Sequence, residues 1–494
     1  MADVVVVGSG PNGLAAAVIM ARAGLGVEVY EAEATAGGGA RTAESTIPGY
    51  RHDVCAGAHP MALASPVFRA FDLTAHGVEL LAPEISYAHP LDGGVAALAW
   101  RDLDRTVEGL GRDGRAWRAM FEPLVRHWPD VVDIAMSDLR RVPSGPTTAI
   151  RFGLRVLEQG SPLWGVRFRE QLAPALLTGV AAHAIVRPRA ITAAGAAMLL
   201  GTLAHTGGWV IPRGGSQVIP DALIAELERL GGRVHTGCRV DSLDEFVPTR
   251  SDTPCAVLLD LAPAELLRIA EYRLPVRYAD RLRRFRYGGA ACKVDFALSG
   301  PVPWRAQGCA AAGTLHLIGT RTEAMVAERV VAVGRHAERP YVLAIQPGVV
   351  DPTRAPAGGH TFYTYAHVPN GSARDVSAEV ITQIERFAPG FADLIVAVNV
   401  RTAAEMSTHN ANHVGGDISA GAMNLRQFAF RPVARWNPYA TPIPGVYLCS
   451  SATPPGPGVH GMNGLYAAGH ALRDRFAIDI DPLELLRRPI PRLP

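Results

Sequence analysis

The residues best suited to chemistry fall into three groups. The first is Gly8-Ser9-Gly10-Pro11-Asn12-Gly13, followed by Glu31 and Ala32. Gly8 permits a tight turn, Gly10 lets the backbone approach a pyrophosphate, and Gly13 lets a helix pack closely on a strand. Pro11 and Asn12 lie where a helix begins, and a helix start offers free N–H groups and partial positive charge to phosphates. Glu31 stands 18 residues after Gly13, where a carboxylate accepts hydrogen bonds from ribose hydroxyls and disfavours a 2′-phosphate. The second group is Gly37-Gly38-Gly39-Ala40-Arg41-Thr42, in which the planar fork of Arg41 matches phosphate oxygens. The third is a single residue. Of 48 basic residues only Lys293 is a lysine. Codon bias explains why lysine is scarce, but not why one is kept. A compact ammonium with a tunable pKa fits where an always-charged guanidinium does not.

These residues need elements to hold them. Asp3–Val7 is a β-branched run suited to a parallel strand buried on both faces. Leu14–Ala23 suits a helix, and Gly26–Tyr30 a second strand. Val218–Leu230 reads as a helix before the turn Gly231-Gly232, and a strand is expected at Val240. Ala256–Asp260 and Gly445–Ser451 read as strands, the latter followed by a helix over Leu465–Phe476. Residues 102–205 show helical spacing. Ala291–Leu298, Leu315–Thr320, Tyr341–Gln346 and Leu394–Val400 are strand-like, and Val376–Phe387 is helical. The uncharged stretch between Arg189 and Arg213 is alanine-rich and broken by glycines. It is expected to be a buried helix or the wall of an apolar pocket rather than a membrane span.

The remainder of the composition sets bounds. The 494 residues suffice for about two to four domains. Apolar residues make up 48% and charged residues 19%, and the net charge is +2. A disordered chain is excluded, and no field of one sign is present to hold nucleic acid. The six cysteines show no metal or disulfide spacing and are expected as reduced, mostly packed thiols. His409 and His413 are four apart, but Asn410, Asn412 and Gly415 argue for a loop, and no third ligand follows; no metal is expected. The start Met-Ala-Asp lacks a basic region before its apolar run, so no secretory signal is expected.

The second glycine group, directly after a complete strand–turn–helix–strand unit, resembles the Gly-Gly-x-x-Arg-Thr extension of glutathione-reductase-type-2 flavoproteins. That group includes the amine oxidases and the phytoene desaturases. The resemblance implies FAD, with Gly38, Gly39, Arg41 and Thr42 at its pyrophosphate. Tyr50–His59 resembles the segment where small residues, here Gly57 and Ala58, let the backbone approach the flavin; His59 either faces the ring or is hydrogen-bonded structure. Pro212–Gln217 and the segment to Val240 are similar to the family's central turn and helix, in which the residue at Val240 meets the adenine. Ser450 and Ser451, then Pro454 to Gly464, resemble the closing FAD motif of phytoene-desaturase-like proteins. There Gly461, Met462 and Asn463 begin a helix aimed at the flavin N1/O2 edge, where reduction develops negative charge, and His460 is a candidate acid or base. Gly415-Gly416-Asp417 and Gln427–Pro432 are similar to the phytoene-dehydrogenase-like branch. Ala290–Phe296 resembles the amine oxidase strand whose lysine is hydrogen-bonded, through water, to flavin N5, which would give Lys293 a catalytic role. Gly461, however, stands where amine oxidases carry an aromatic-cage tyrosine, and no cysteine near Pro455–Gly461 offers a covalent link to FAD.

The expected architecture is α/β. A discontinuous Rossmann-type FAD domain spans 1–75, 210–270 and 437–494. An α+β substrate domain with a mixed sheet and helical cap spans 76–209 and 271–436. The expected activity is an FAD-dependent dehydrogenase or desaturase that takes a hydride from a small, largely apolar or amphipathic substrate. The alternatives are an amine or amino-acid oxidase and a redox-neutral isomerase using reduced FAD. A cytoplasmic location is expected. A peripheral membrane contact and the oligomeric state stay open.

Overall fold

A computed structural model describes residues 2–138, 140, 142–247 and 255–488. One sheet has five strands in the order Val446–Leu448, Ala256–Leu259, Val4–Val7, Val27–Tyr30 and Arg233–His235, with every neighbouring pair parallel. All four valines of the central strand are buried, as a strand covered by helices on both faces requires. Helix Pro11–Arg22 leaves that strand through the glycine turn and lies against helix Met462–Phe476. The two cross so closely that a Cβ on Gly464 would stand 2.0 Å from the Asn12 carbonyl oxygen.

The second sheet has seven strands in the order Ile395–Arg401, Ala290–Leu298, His360–Val368, Val342–Ile345, Ala312–Leu317, Ile85–Leu91 and Val95–Trp100. All pairs are antiparallel except Ala312–Leu317 with Ile85–Leu91. Strand alternation divides its two faces. Phe296, Phe362 and Leu315 pack on one face under helix Ser377–Phe387. Leu343, Ile345, Tyr363 and Tyr365 form the other, which turns toward a cavity. A cap of helices that includes Gly114–Arg126, Pro146–Gln159, Leu172–Ala181 and Ile191–Ala204 closes over that side.

Several sequence expectations need correction. No strand forms at Val240, because the chain leaves the sheet after His235 and runs irregularly through the described residues to 247. Residues 248–254, which lead to strand Ala256–Leu259, lie outside the described residues. The strand expected to reach Thr320 ends at Leu317, because Thr320 caps helix Arg321–Ala332 in a reciprocal pair with Glu323. The hairpin Ile85–Trp100 and the strand His360–Val368 were not anticipated. The uncharged stretch forms the buried helix Ile191–Ala204, and among the described residues no helix is long and apolar enough to cross a membrane. The cysteines are unpaired; Cys292, Cys309 and Cys449 are buried, while Cys238 is exposed.

Candidate active site

A cavity of about 660 Å³ runs from the carboxyl ends of the parallel strands to the inner face of the second sheet. That end of such a sheet is where nucleotides bind. Gly8, Gly10, Pro11 and Asn12 line the cavity beside Glu31 and Ala32. The carboxylate of Glu31 is fixed from below. One oxygen accepts from the Ser9 N–H (3.0 Å) and the Ser9 hydroxyl (2.5 Å), and the other from the Glu33 N–H (2.9 Å). Gly38, Gly39 and Arg41 form the adjoining wall. A Cβ on Gly38 would lie 2.9 Å from Gly10 Cα, so the two glycine groups build one cradle. The Arg41 Nε donates to the Gly38 carbonyl (2.9 Å), and Nη2 to the His409 carbonyl (2.9 Å) with the His409 ring at 3.0 Å. Burial and Arg41 hold His409 down at about 3, so the ring is neutral beside the guanidinium. Gly57, Ala58, Val240, Ser450 and Ser451 also line the cavity.

Other predicted residues stand behind the wall. The Gly13 N–H donates to Asp260 Oδ2 (3.1 Å). Thr42 donates to Asp53 (2.8 Å) and accepts from the Gln217 N–H (3.1 Å). Gly461, at φ 69°, precedes helix Met462–Phe476. Asn463 is fully buried and donates to the carbonyls of Thr453 (2.9 Å) and Pro454 (3.1 Å), holding the closing loop. His460 is also fully buried, and its Nδ1 accepts from the Met462 N–H (3.1 Å). His460 does not line the cavity, and its Nε2 is buried without a hydrogen-bond partner. His59 lines the cavity, but its Nε2 is 2.7 Å from the Ser216 hydroxyl, which donates to the Ala56 carbonyl (2.6 Å). The ring must therefore donate to Ser216, and its Nδ1 is buried without a hydrogen-bond partner.

Lys293 is the largest departure. Its ammonium is buried against the Asp295 carboxylate and lies 3.6 Å from the centre of the Tyr363 ring. Tyr363 forms the cavity wall there and Lys293 does not. Burial pushes Lys293 below the usual lysine range, and Asp295 opposes that shift. The ammonium is held in a buried ion pair one layer behind the cavity wall.

Two site residues escaped the sequence reading. Asp260 ends strand Ala256–Leu259 and packs beneath the glycine turn, where a Cβ on Gly10 would stand 2.4 Å from its Oδ2. Burial, reinforced by Glu31, pushes its carboxyl up to about 7, while the Gly13 N–H pulls the other way. An acid directly after an apolar run, at the carboxyl end of a parallel strand, was the available signal. The other is His183, on the short helical turn Ala182–Ala184.

The far end of the cavity is apolar. Phe152, Val156, Ala196, Leu199 and Trp209 line it from the cap, and Leu343, Ile345 and Tyr365 from the sheet. The lining carboxylates, Glu31, Glu33, Asp260 and Glu265 among the described residues, all belong to the parallel sheet and its connections.

A dinucleotide cradle joined to an apolar chamber is the arrangement a flavoprotein oxidoreductase needs. Residues 12–470 match the flavin containing amine oxidoreductases, and the chain belongs to that family. It is an FAD-dependent enzyme. It is 26% identical to pyridine nucleotide-disulfide oxidoreductase domain-containing protein 2 of Mus musculus, over 96% of this chain and 93% of that protein. It is 31% identical to the neurosporene-forming phytoene desaturase of Rhodobacter capsulatus over 142 residues, 26% of each chain. In fold it is similar to an oxidoreductase from Methanosarcina mazei, with a TM-score of 0.60 at 16% identity, covering 93% of this chain and 97% of that one.

The residues present fit FAD. The cradle of Gly10 and Gly38 has no room for a side chain, Glu31 is preset for a ribose, and the buried Asn12 Oδ1 finds no partner in the protein. Asp260 adds a pH dependence. Its carboxyl is raised, so it is neutral below about pH 7 and becomes an anion under the pyrophosphate cradle above it. FAD retention is expected to weaken as pH rises through that range. Asp260→Asn should flatten the dependence, as read by flavin release on dilution on either side of about pH 7.

Proposed function

We propose that the enzyme is a dehydrogenase that takes a hydride from a neutral, largely apolar substrate. FAD, when bound, supplies the hydride acceptor. The observation that carries the reading is the division of the cavity. Among the described residues every lining carboxylate lies at the dinucleotide end, so none of them is placed to hold an ammonium among the aliphatic and aromatic side chains of the other end. Gly461 supports the same reading against amine oxidation. A Cβ there would stand 2.9 Å from Val67 Cγ1 and 3.0 Å from Ala15 Cβ, so the position does not admit a cage aromatic. In this reading the cap helices cover the substrate, and Tyr363, Tyr365 and Ile345 form the floor on which it lies.

The test is anaerobic bleaching of the purified yellow protein by a panel of terpenoids, unsaturated lipids, hydroxy compounds and amines. Bleaching by neutral apolar compounds is expected. Bleaching with peroxide release by amines alone overturns the reading, and turnover only after prior reduction replaces it with isomerisation.

The substrate's route suggests a peripheral membrane contact. Helix Pro146–Gln159 turns Phe152 and Val156 into the cavity and exposes Ile150, Leu154 and Leu157 on its outside, with Leu163 and Val166 beyond. Such a patch suits a lipid surface. Flotation with phospholipid vesicles is expected, and Leu154→Glu with Leu157→Glu should abolish it while leaving the flavin spectrum unchanged.

A further inference from the structure

The inner face of the seven-stranded sheet carries one phenol hydroxyl that the protein leaves open. On strand His360–Val368, Phe362 and Ala366 turn into the core under helix Ser377–Phe387, so Tyr363, Tyr365 and His367 turn the other way. Tyr363 donates its hydroxyl to the Cys55 carbonyl. His367 meets the Glu328 carboxylate through Nδ1 at 2.6 Å, and Tyr341, stacked on His367 at 4.5 Å, donates to the Gly179 carbonyl (2.9 Å). The Tyr365 ring is set among these, 6.2 Å from Tyr363 edge-on and 5.8 Å from His367 in a stack. Its hydroxyl makes no hydrogen bond to any described residue. The hydroxyls of Tyr87 and Thr314 also lack partners, but they are sealed inside the protein, and that of Tyr365 is not. Tyr365 lines the cavity, so its hydroxyl opens there.

Most other polar side chains around the apolar end are engaged. Thr192 donates to the Met423 carbonyl and the Trp209 Nε1 to the Leu200 carbonyl (3.1 Å). The His183 Nε2 stands 2.8 Å from the His316 Nε2. Ser419, beside Ile418 in the lining, is the other hydroxyl without a protein partner among the described residues. The lining arginines, Arg41, Arg239 and Arg268 among the described residues, stand with the carboxylates at the dinucleotide end. An ionised group in the apolar chamber would therefore lack a counter-charge, whereas a neutral oxygen needs only a hydrogen-bond donor. Burial pushes the Tyr365 hydroxyl well above the usual phenol range, so it stays protonated and acts as a donor rather than a base.

We infer that Tyr365 is a specificity-determining residue that donates its hydroxyl hydrogen to an uncharged oxygen of the substrate. The substrate class this selects is an apolar carbon skeleton bearing a ketone, ester, ether or alcohol oxygen, in preference to a plain hydrocarbon. The inference rests on the reading of the chamber as the seat of a neutral, largely apolar substrate. A few placed polar groups in an otherwise apolar pocket fix a ligand's orientation, and here the bond to Tyr365 sets which part of the skeleton lies toward the dinucleotide end. Its ring is already held between Tyr363 and His367, so little further ordering opposes the bond.

Two measurements test this on the full FAD-bound chain, and neither uses turnover, so their failure is separate from a failure of the dehydrogenase reading. The probes are carvone and limonene, which share a skeleton and differ by a ketone oxygen. Their binding is followed by perturbation of the flavin spectrum. Tyr365→Phe keeps the ring and its packing and removes only the hydroxyl. It is expected to weaken carvone about tenfold and to leave limonene unchanged, while Ser419→Ala leaves both unchanged. Carvone binding that is the same in native protein and Tyr365→Phe overturns the inference. So does an equal loss for both probes, which marks a packing role, and so does a native protein that does not bind carvone. The second measurement is the infrared difference spectrum of bound carvone labelled with 13C at its carbonyl. The C=O stretch is expected at lower frequency in the native protein than in Tyr365→Phe, and an identical stretch in the two overturns the inference.

Discussion

Gly10→Val is expected to give a colourless protein. A Cβ at this position would stand 2.4 Å from Asp260 Oδ2, and the Gly38 backbone closes the other side of the cradle. Real Cβ atoms do not approach so closely, so either the turn or Asp260 must shift, and the surface a pyrophosphate would meet shifts with it. About a hundredfold loss of FAD affinity, about 3 kcal/mol, is expected, read as flavin occupancy after purification and as Kd on reconstitution. Asp260 lets the two causes be separated. In an Asp260→Ala background the clash with the carboxylate is gone, and Gly10→Ala then tests only the approach of a ligand to the backbone. If that double variant binds FAD like Asp260→Ala alone, the cradle is not where the phosphates lie.

Lys293→Met is expected to act on stability first. Its loss takes the nearest counter-charge from the buried Asp295 carboxylate and leaves it with His52 at 3.7 Å, the Ser45 hydroxyl at 3.4 Å and the more distant charge of Arg401. Removing one partner of a buried pair costs about 3–5 kcal/mol, which denaturant unfolding will show. Lys293→Met with Asp295→Leu should recover most of the loss, because an apolar pair of similar volume needs no counter-charge. The flavin spectrum should be unchanged in all of these, since Tyr363 and not Lys293 faces the cavity. Full stability with slowed flavin reduction would instead restore the role that the strand's resemblance to amine oxidases implies.

These two residues mark the boundary of what was legible. The turn from Gly8 to Gly13, with Glu31, was readable because its requirements are local: each glycine answers to a neighbour in the same strand–turn–helix unit. The buried wall at Ile191–Ala204 was readable because a long uncharged stretch must be covered. The strands Ala290–Leu298 and Val342–Ile345 were readable from their apolar runs. The hairpin Ile85–Trp100 was not, since His89 and Pro90 interrupt one strand and alanines blur the alternation of the other. Only the turn Asp92-Gly93-Gly94 gave a hint.

Sequence by itself determined that this chain builds a dinucleotide cradle and that an apolar chamber accompanies it. Tertiary structure alone decided which polar groups reach the chamber. It set Lys293 behind a tyrosine and brought Asp260 beneath a turn some 250 positions away in the chain. The reason is physical. A glycine turn is specified by backbone conformation over a few residues, whereas the protonation and partners of a buried side chain depend on whatever the folded chain places within a few ångströms of it, at any separation in sequence.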